Sequence, residues 1–191
     1  AEKVECLRYL ENGITLKTYD CHGNMLSETD PNNHITLFEY NALNQLTKIT
    51  DALGHITLMS YDKAGNLKTL TNPLNKITQY DYDGLDRLVK VTTPSGINKQ
   101  IVYDEQGNVI KQIDGNGKVT SYTYNSRKQV LSETDPLGNS IQYEYDEAGN
   151  RTSIKDKRNA NTTFEYNSID QLIKITNTIG GTSTFNYDAN G

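Results

Sequence analysis

Long apolar runs are missing from this 191-residue chain. No stretch approaches the roughly 18 apolar residues of a membrane-crossing helix, so no membrane span is expected. Cysteine is scarce: Cys6 and Cys21 are the only two, which excludes a disulfide framework, and no Cys-x-x-Cys marks a zinc site. Free thiols are expected, with a bridge only if the first segment folds back. Clustered cations are absent as well. Lys and Arg number 19 against 24 Asp and Glu, for a net charge of −5, and no basic stripe is present to follow a nucleic-acid backbone. The sequence holds neither a serine nucleophile elbow nor a phosphate-binding loop. Apolar residues make up only 35% even with 13 tyrosines counted. Ordinary soluble domains carry about 45–50%, counted with glycine and without tyrosine. A thick two-layer core along the whole length is therefore excluded. So is disorder, because the apolar residues recur at fixed places and charged residues are only 23%.

What the chain does have is a period. Tyr19, Tyr40, Tyr61, Tyr82, Tyr103, Tyr124, Tyr145, Tyr166 and Tyr187 stand 21 residues apart, each followed by Asp or Asn. Such self-similarity is the signature of a repeat architecture. Two regions follow from it: residues 1–18 as an irregular or partial unit, and residues 19–191 as an array of about eight units with the start of a ninth. The close at Tyr187-Asp-Ala-Asn-Gly191 lacks the atypical capping unit that arrays need, and no signal peptide opens the chain, which reads as a piece of something larger.

Each unit carries two turn signals. Eleven residues after the tyrosine stand Asp30, Asp51, Asn72, Thr93, Asp114, Asp135, Asp156 and Asn177, with proline next in four units. Three residues on come Asn33, Gly54, Asn75, Gly96, Gly117, Gly138, Asn159 and Gly180, the residue types that accept a positive φ at least cost. Asp caps, Pro sets φ and Gly turns left-handed. The other turn begins at the tyrosine and has two forms. One is Tyr61-Asp-Lys-Ala-Gly-Asn66 and its like; the other is Tyr40-Asn-Ala-Leu-Asn-Gln-Leu46 and its like, so the true period is 42. Lys128 breaks the pattern where others have Gly, Asn or Asp. Neighbouring units are expected to present these turns to different surroundings, such as inner and outer rims.

Between the turns, Phe38, Met59, Tyr80, Ile101, Tyr122, Tyr143, Phe164 and Phe185 stand two residues before each tyrosine, with mostly polar residues between. Period two predicts strands with one packed and one wet face. Lys48, Lys90, Lys111 and Lys174 recur at the eighth position and are placed on the wet face. Connections this short cannot make a parallel crossover. The fold class is therefore all-β: a repetitive antiparallel hairpin array forming a curved, spiralling sheet or open shell piece, with a parallel β-helix as the alternative.

Candidate chemistry is thin. The turn aspartates do not converge as the six to eight oxygens of a calcium site must. His34 and His55 share one repeat position and His22 lies in a turn, but the later equivalents are Lys76, Ile97 and Lys118, so a zinc pair is not supported. Asp81 and Asp83 flank Tyr82, and strand geometry would place them on one face as an acid–base pair, but in one unit only. Asn150 and Asn161 begin glycosylation-type triplets that this Asn- and Thr-rich composition produces by chance. No catalytic, cofactor or metal site is assigned. The repeat-defining residues are the nine tyrosines and Gly54, Gly96, Gly117, Gly138 and Gly180.

The run from Val130 through Thr134-Asp-Pro-Leu-Gly138 to Tyr145-Asp-Glu-Ala-Gly-Asn150 resembles the YD repeat of the Rhs family, and the resemblance covers residues 19–191. The family includes bacterial Rhs polymorphic toxins, the BC cocoons of Tc toxins, and teneurins. It implies a spiralling β-sheet closing into a hollow shell. It also implies a secreted or cell-surface bacterial parent, and as partner a toxin or passenger segment of that parent enclosed within. The C-terminal core motif linked to self-cleavage in that family has no match here, nor has a toxin segment. The alternative function is a surface-displayed adhesion or carbohydrate-binding array with glycans or cell-surface proteins as partners. Neither reading involves an enzyme or a cofactor.

Overall fold

A computed structural model describes the backbone of residues 4–10 and 13–188, and side chains from residue 15 onward. The described residues form eighteen β-strands and no helix. They divide into two units, Ala1–Asn98 and Lys99–Gly191. The first holds β1 (Val4–Leu10), β2 (Gly13–Tyr19), β3 (Met25–Thr29), β4 (Ile35–Tyr40), β5 (Leu46–Thr50), β6 (Ile56–Tyr61), β7 (Leu67–Thr71), β8 (Ile77–Tyr82) and β9 (Leu88–Thr92). The second holds β10 (Asn98–Tyr103, from Lys99), β11 (Val109–Ile113), β12 (Val119–Tyr124), β13 (Val130–Thr134), β14 (Ser140–Tyr145), β15 (Arg151–Lys155), β16 (Asn161–Tyr166), β17 (Leu172–Thr176) and β18 (Thr182–Thr184).

Within each unit every strand pairs antiparallel with the next. This uniform meander rules out the parallel β-helix. Among the described residues no apolar side chain is fully buried; the only buried side chains are Thr15, Thr18 and Ser153. Each unit is thus a single layer, as a chain with so few apolar residues requires.

Both turns of the repeat share one construction. In the Asp51 turn, the Gly54 N–H donates to the Asp51 carbonyl and the Asp51 N–H to the His55 carbonyl, each at 3.0 Å. Asp51 Oδ1 accepts from the N–H groups of Leu53 (2.9 Å) and His55 (2.8 Å). The first-turn type repeats this at Asp62, whose Oδ1 accepts from Ala64 and Asn66, both at 2.9 Å. A three-residue loop closed by a residue at positive φ matches the right-handed twist of the flanking strands. The side-chain oxygen satisfies two loop N–H groups that the ladder cannot reach.

The residue at positive φ is glycine where the sequence allows, and otherwise Asn33, Asn44, Asn75, Asp86, Asn159, Asp170 or Lys128. Lys128 has φ 62° and no short polar side chain to offset the steric cost. Lys128→Asn is expected to stabilise the protein by about 1 kcal/mol. For a chain of this length that is a rise in Tm of about 2–4 °C in a thermal melt; an unchanged or lower Tm would refute the strain argument.

Candidate functional surface

The repeated tyrosine has a specific partner. Beyond the first turn the ladder slips by one residue: Tyr40 pairs Leu46 but Glu39 pairs Lys48, which leaves Thr47 as a bulge. A bulge disrupts the ladder and leaves groups beside it unpaired. The phenol of the next unit meets that need. Tyr61 Oη donates to the Leu46 carbonyl at 2.7 Å, and Tyr82 to Leu67 at 3.1 Å. In the second unit, Tyr124 donates to Val109 (2.8 Å), Tyr145 to Val130 (3.0 Å), Tyr166 to Arg151 (3.0 Å) and Tyr187 to Leu172 (2.7 Å). Partial burial raises the pKa of the Tyr40, Tyr82 and Tyr124 phenols and keeps them protonated donors. Tyr19 and Tyr103 end β2 and β10 at the same repeat position.

The five repeat-defining glycines stand at the tips of the other turn, with φ between 78° and 84° at Gly54, Gly96, Gly117, Gly138 and Gly180. A Cβ there would meet nothing within 4 Å. Backbone conformation alone selects glycine at these positions. At Gly65 there is contact too, since a Cβ would lie 3.2 Å from Gln45 Nε2.

That glutamine explains the 42-residue alternation. Asn24 Nδ2 donates to Asn44 Oδ1 at 2.8 Å, Gln45 Nε2 to the Gly65 carbonyl at 3.1 Å, and Asn66 Nδ2 to Asp86 Oδ1 at 2.8 Å. In the second unit Gln129 Nε2 reaches the Gly149 carbonyl at 2.9 Å and Asn150 Nδ2 reaches Asp170 Oδ1 at 2.7 Å. The two turn forms alternate because each is the hydrogen-bond complement of the other. Expected on different rims, they instead share one edge and touch. Lys128 alters this ladder: it offers no acceptor to Asn108 Nδ2, which donates to Asp104 Oδ2 at 2.8 Å as its equivalents do to theirs. The Lys128 ammonium donates instead to the Gln106 carbonyl at 2.9 Å. A depression of about 440 Å³, lined by Asp104, Tyr122, Tyr124 and Lys128, lies there.

In each unit one face of the sheet is aromatic and half-buried. Phe38 pairs Ile49, Tyr80 pairs Val91, Tyr143 pairs Ile154 and Phe164 pairs Ile175, combinations favoured across strands. The opposite face holds the eighth-position lysines, and two of them pair across strands: Lys48 with Glu39 at 2.8 Å and Lys174 with Glu165 at 2.7 Å. This face is less polar than the sequence reading implies. In the first unit Ile35, Leu37, Ile56, Leu58 and Ile77 lie on it, 42–48% exposed. The matching second-unit residues include Ser121, Gln142 and Thr163. The signal lay three and five residues before each tyrosine, outside the positions that define the repeat.

The remaining candidates are separated by the turns. His34 Nδ1 lies 3.0 Å from Asp30 Oδ2 and His55 Nδ1 2.8 Å from Asp51 Oδ2, each within its own turn. His22 faces Cys21 Sγ at 3.4 Å. Among the described residues no group of three or more His, Cys, Asp or Glu could hold a metal ion. Cys21 is an exposed free thiol, and the Cys6 side chain lies outside the described residues. Asp81 pairs across the strand with Lys90, whereas Asp83 caps the turn and binds Arg87 Nη2 at 2.6 Å. The expected shared face fails because the chain has already entered the turn at Asp83. Asn150 and Asn161 are engaged, the latter accepting from Ser153 Oγ at 2.8 Å.

Nine turn aspartates are held below the usual carboxylate range. The leading cause at Asp51 and Asp62 is the backbone N–H of His55 and Asn66; at Asp83 it is the Arg87 side chain, and at Asp135 the Lys157 ammonium.

Together, the meander, the phenol–bulge joint and the turn ladder define a structural β-hairpin repeat protein. The RHS Repeat family model matches residues 19–56, 61–97, 103–139 and 124–163, and the chain belongs to that family. No curated protein matches it in sequence. Among solved structures, TcdB2-TccC3-Cdc42 is similar at TM-score 0.63 and 20% identity, over 85% of this chain and 12% of that one. TcdB2-TccC3 without its hypervariable C-terminal region gives 0.62 and 21%, over 85% and 12%. The Photorhabdus luminescens Tc holotoxin pore, with a substitution in TccC3, gives 0.61 and 20%, over 87% and 12%. At these identities the likeness is one of fold, and the chain spans 12% of the length of the chains it resembles.

Proposed function

We propose that this chain is a non-catalytic wall segment of an Rhs-type shell that encloses a toxin or passenger polypeptide of the same parent, secreted or displayed by a bacterium. The carrying observation is that each unit is a single-layer sheet, with no buried apolar side chain among the described residues. A wall needs backbone pairing and regular joints; within each unit the antiparallel meander supplies the first, and the phenols and turn ladder the second. The array is taken to run over residues 19–191, with 1–18 as a partial unit, and the nine tyrosines and five turn glycines as its structural determinants. One of the similar structures is a Tc holotoxin pore, and another, which also contains TccC3, lacks a hypervariable C-terminal region. Enclosure works by steric exclusion, because a segment inside a closed wall meets neither protease nor target. Glycan stacking on the tyrosine rows is less favoured, since the repeat tyrosines other than Tyr187 are half-buried and offer little open ring face.

The test is limited proteolysis of a natural chain in which a further segment follows this array, tracked by mass spectrometry. Enclosure predicts that the segment survives when linked to the intact array and is degraded when expressed alone. Rapid cleavage of the segment beside an intact array would refute it.

A further inference from the structure

Arg151 interrupts the aromatic face. Its position is Met25, Leu46, Leu67, Leu88, Val109, Val130 and Leu172 in the other units. Its guanidinium carbon lies 5.7 Å from the ring centroid of Tyr143 on β14 and 5.7 Å from that of Phe164 on β16. Two rings on the flanking strands thus hold the planar group by cation–π attraction. The fold does not ask for an arginine here, since leucine serves the same joint elsewhere. Arg151 nevertheless remains exposed. Among the described residues no carboxylate lies within ion-pair distance of it, although Asp83, Asp135, Glu39 and Glu165 all have cationic partners. The strand alternation of β14–β17 places Tyr143, Ile154, Phe164 and Ile175 around it with no other charge on that face of these four strands. Glu133 on β13 shares the face but pairs with Ile141, at the opposite end of β14 from the Tyr145 that pairs with Arg151.

A single pre-oriented cation on an aromatic and aliphatic face has the composition of an interface centre, where Tyr, Phe and Arg are enriched. Its fork of donors matches a carboxylate bidentately, and the flanking rings match apolar side chains. We propose that Arg151, held between Tyr143 and Phe164, anchors a docking surface for a polypeptide segment bearing a carboxylate beside apolar residues. This goes beyond the wall reading and does not depend on enclosure.

The test uses this chain and two blocked hexapeptides of Leu and Val, one with a central Glu and one with Gln. NMR would follow the Arg151 Nε–H and the Tyr143 and Phe164 ring signals. The Glu peptide is expected to shift all three and to bind about tenfold more tightly than the Gln peptide, the scale of one charge-assisted hydrogen-bonded pair. Arg151→Leu should lose that preference while melting no lower than the parent, because leucine is the resident of four other units. Arg151→Lys should lose most of it, because an ammonium neither stacks nor forks. Equal binding of both peptides, or undiminished binding by Arg151→Leu, would overturn the proposal. So would sodium acetate or inorganic phosphate shifting the Arg151 signal at the same concentration as the Glu peptide, which reduces the site to a simple anion contact.

Discussion

Replacing Tyr61 by alanine is expected to destabilise the protein by about 2–4 kcal/mol, and Tyr61→Phe by only about 1 kcal/mol. Phenylalanine keeps the ring on the aromatic face but strands the Leu46 carbonyl beside its bulge, removing the 2.7 Å bond. Alanine removes both bond and ring; the side chain is half-buried, so the loss falls below that of a fully buried aromatic. In a repeat array such a change weakens the joint with the neighbouring unit more than the unit itself. Urea denaturation would give the two values, and hydrogen exchange would locate faster opening at the β5–β6 joint. If the Phe variant lost as much as the Ala variant, packing would contribute nothing at this position. If it lost nothing, the phenol–bulge bond would not be what the tyrosine is for.

Acid should unfold this chain cooperatively, with Tm nearly flat from about pH 5 to 8 and falling steeply below about pH 4. The nine lowered turn aspartates all stay in reach of solvent, Asp114 exposed and the other eight partly buried, so no one of them dominates; their number and shared sign produce the effect. Each binds protons more weakly folded than unfolded. Its contribution is complete above the unfolded pKa near 3.9 and is lost as pH falls through that value toward the folded pKa. An internal control exists. Asn41, Asn72, Asn125 and Asn167 accept the same two N–H groups without a titrating charge. Converting Asp20, Asp62 and Asp104 together to asparagine should therefore flatten the acid limb, with a modest loss of stability at neutral pH where the charged carboxylates contribute in full. A Tm that stayed flat down to pH 2 in the parent chain would contradict the account.

Much of this was legible in the residues. Tyr-Asp-x-x-Gly-Asn and Asp-Pro-x-Gly announce turns because each residue type solves a local problem of φ or an unpaired N–H, and such problems are settled within five residues. The alternation before each tyrosine shows strands for the same reason. The alternation between Gly65-Asn66 and Asn44-Gln45 was visible but not interpretable. Its cause is a contact between residues 20 apart, and only the pairing register shows that these turns share an edge. The aliphatic patch of the first unit is not legible in the sequence, because Ile35 and Leu37 are ordinary strand residues and only their exposure shows that nothing in the described residues covers them. Asp81 and Asp83 depart from the strand expectation because strand geometry ends between them, at Tyr82.

The sequence by itself determined the class of fold, the repeat length, both turn chemistries and the absence of a thick core, since all of these are local or compositional. The tertiary structure decided why the period is marked by tyrosine, with its hydroxyl, rather than phenylalanine. The Leu46 carbonyl that Tyr61 satisfies lies 15 residues back, and it needs a partner only because the β4–β5 pairing slips by one residue at Thr47. No reading along the chain contains that slip, because a bulge is a property of two strands and not of either one.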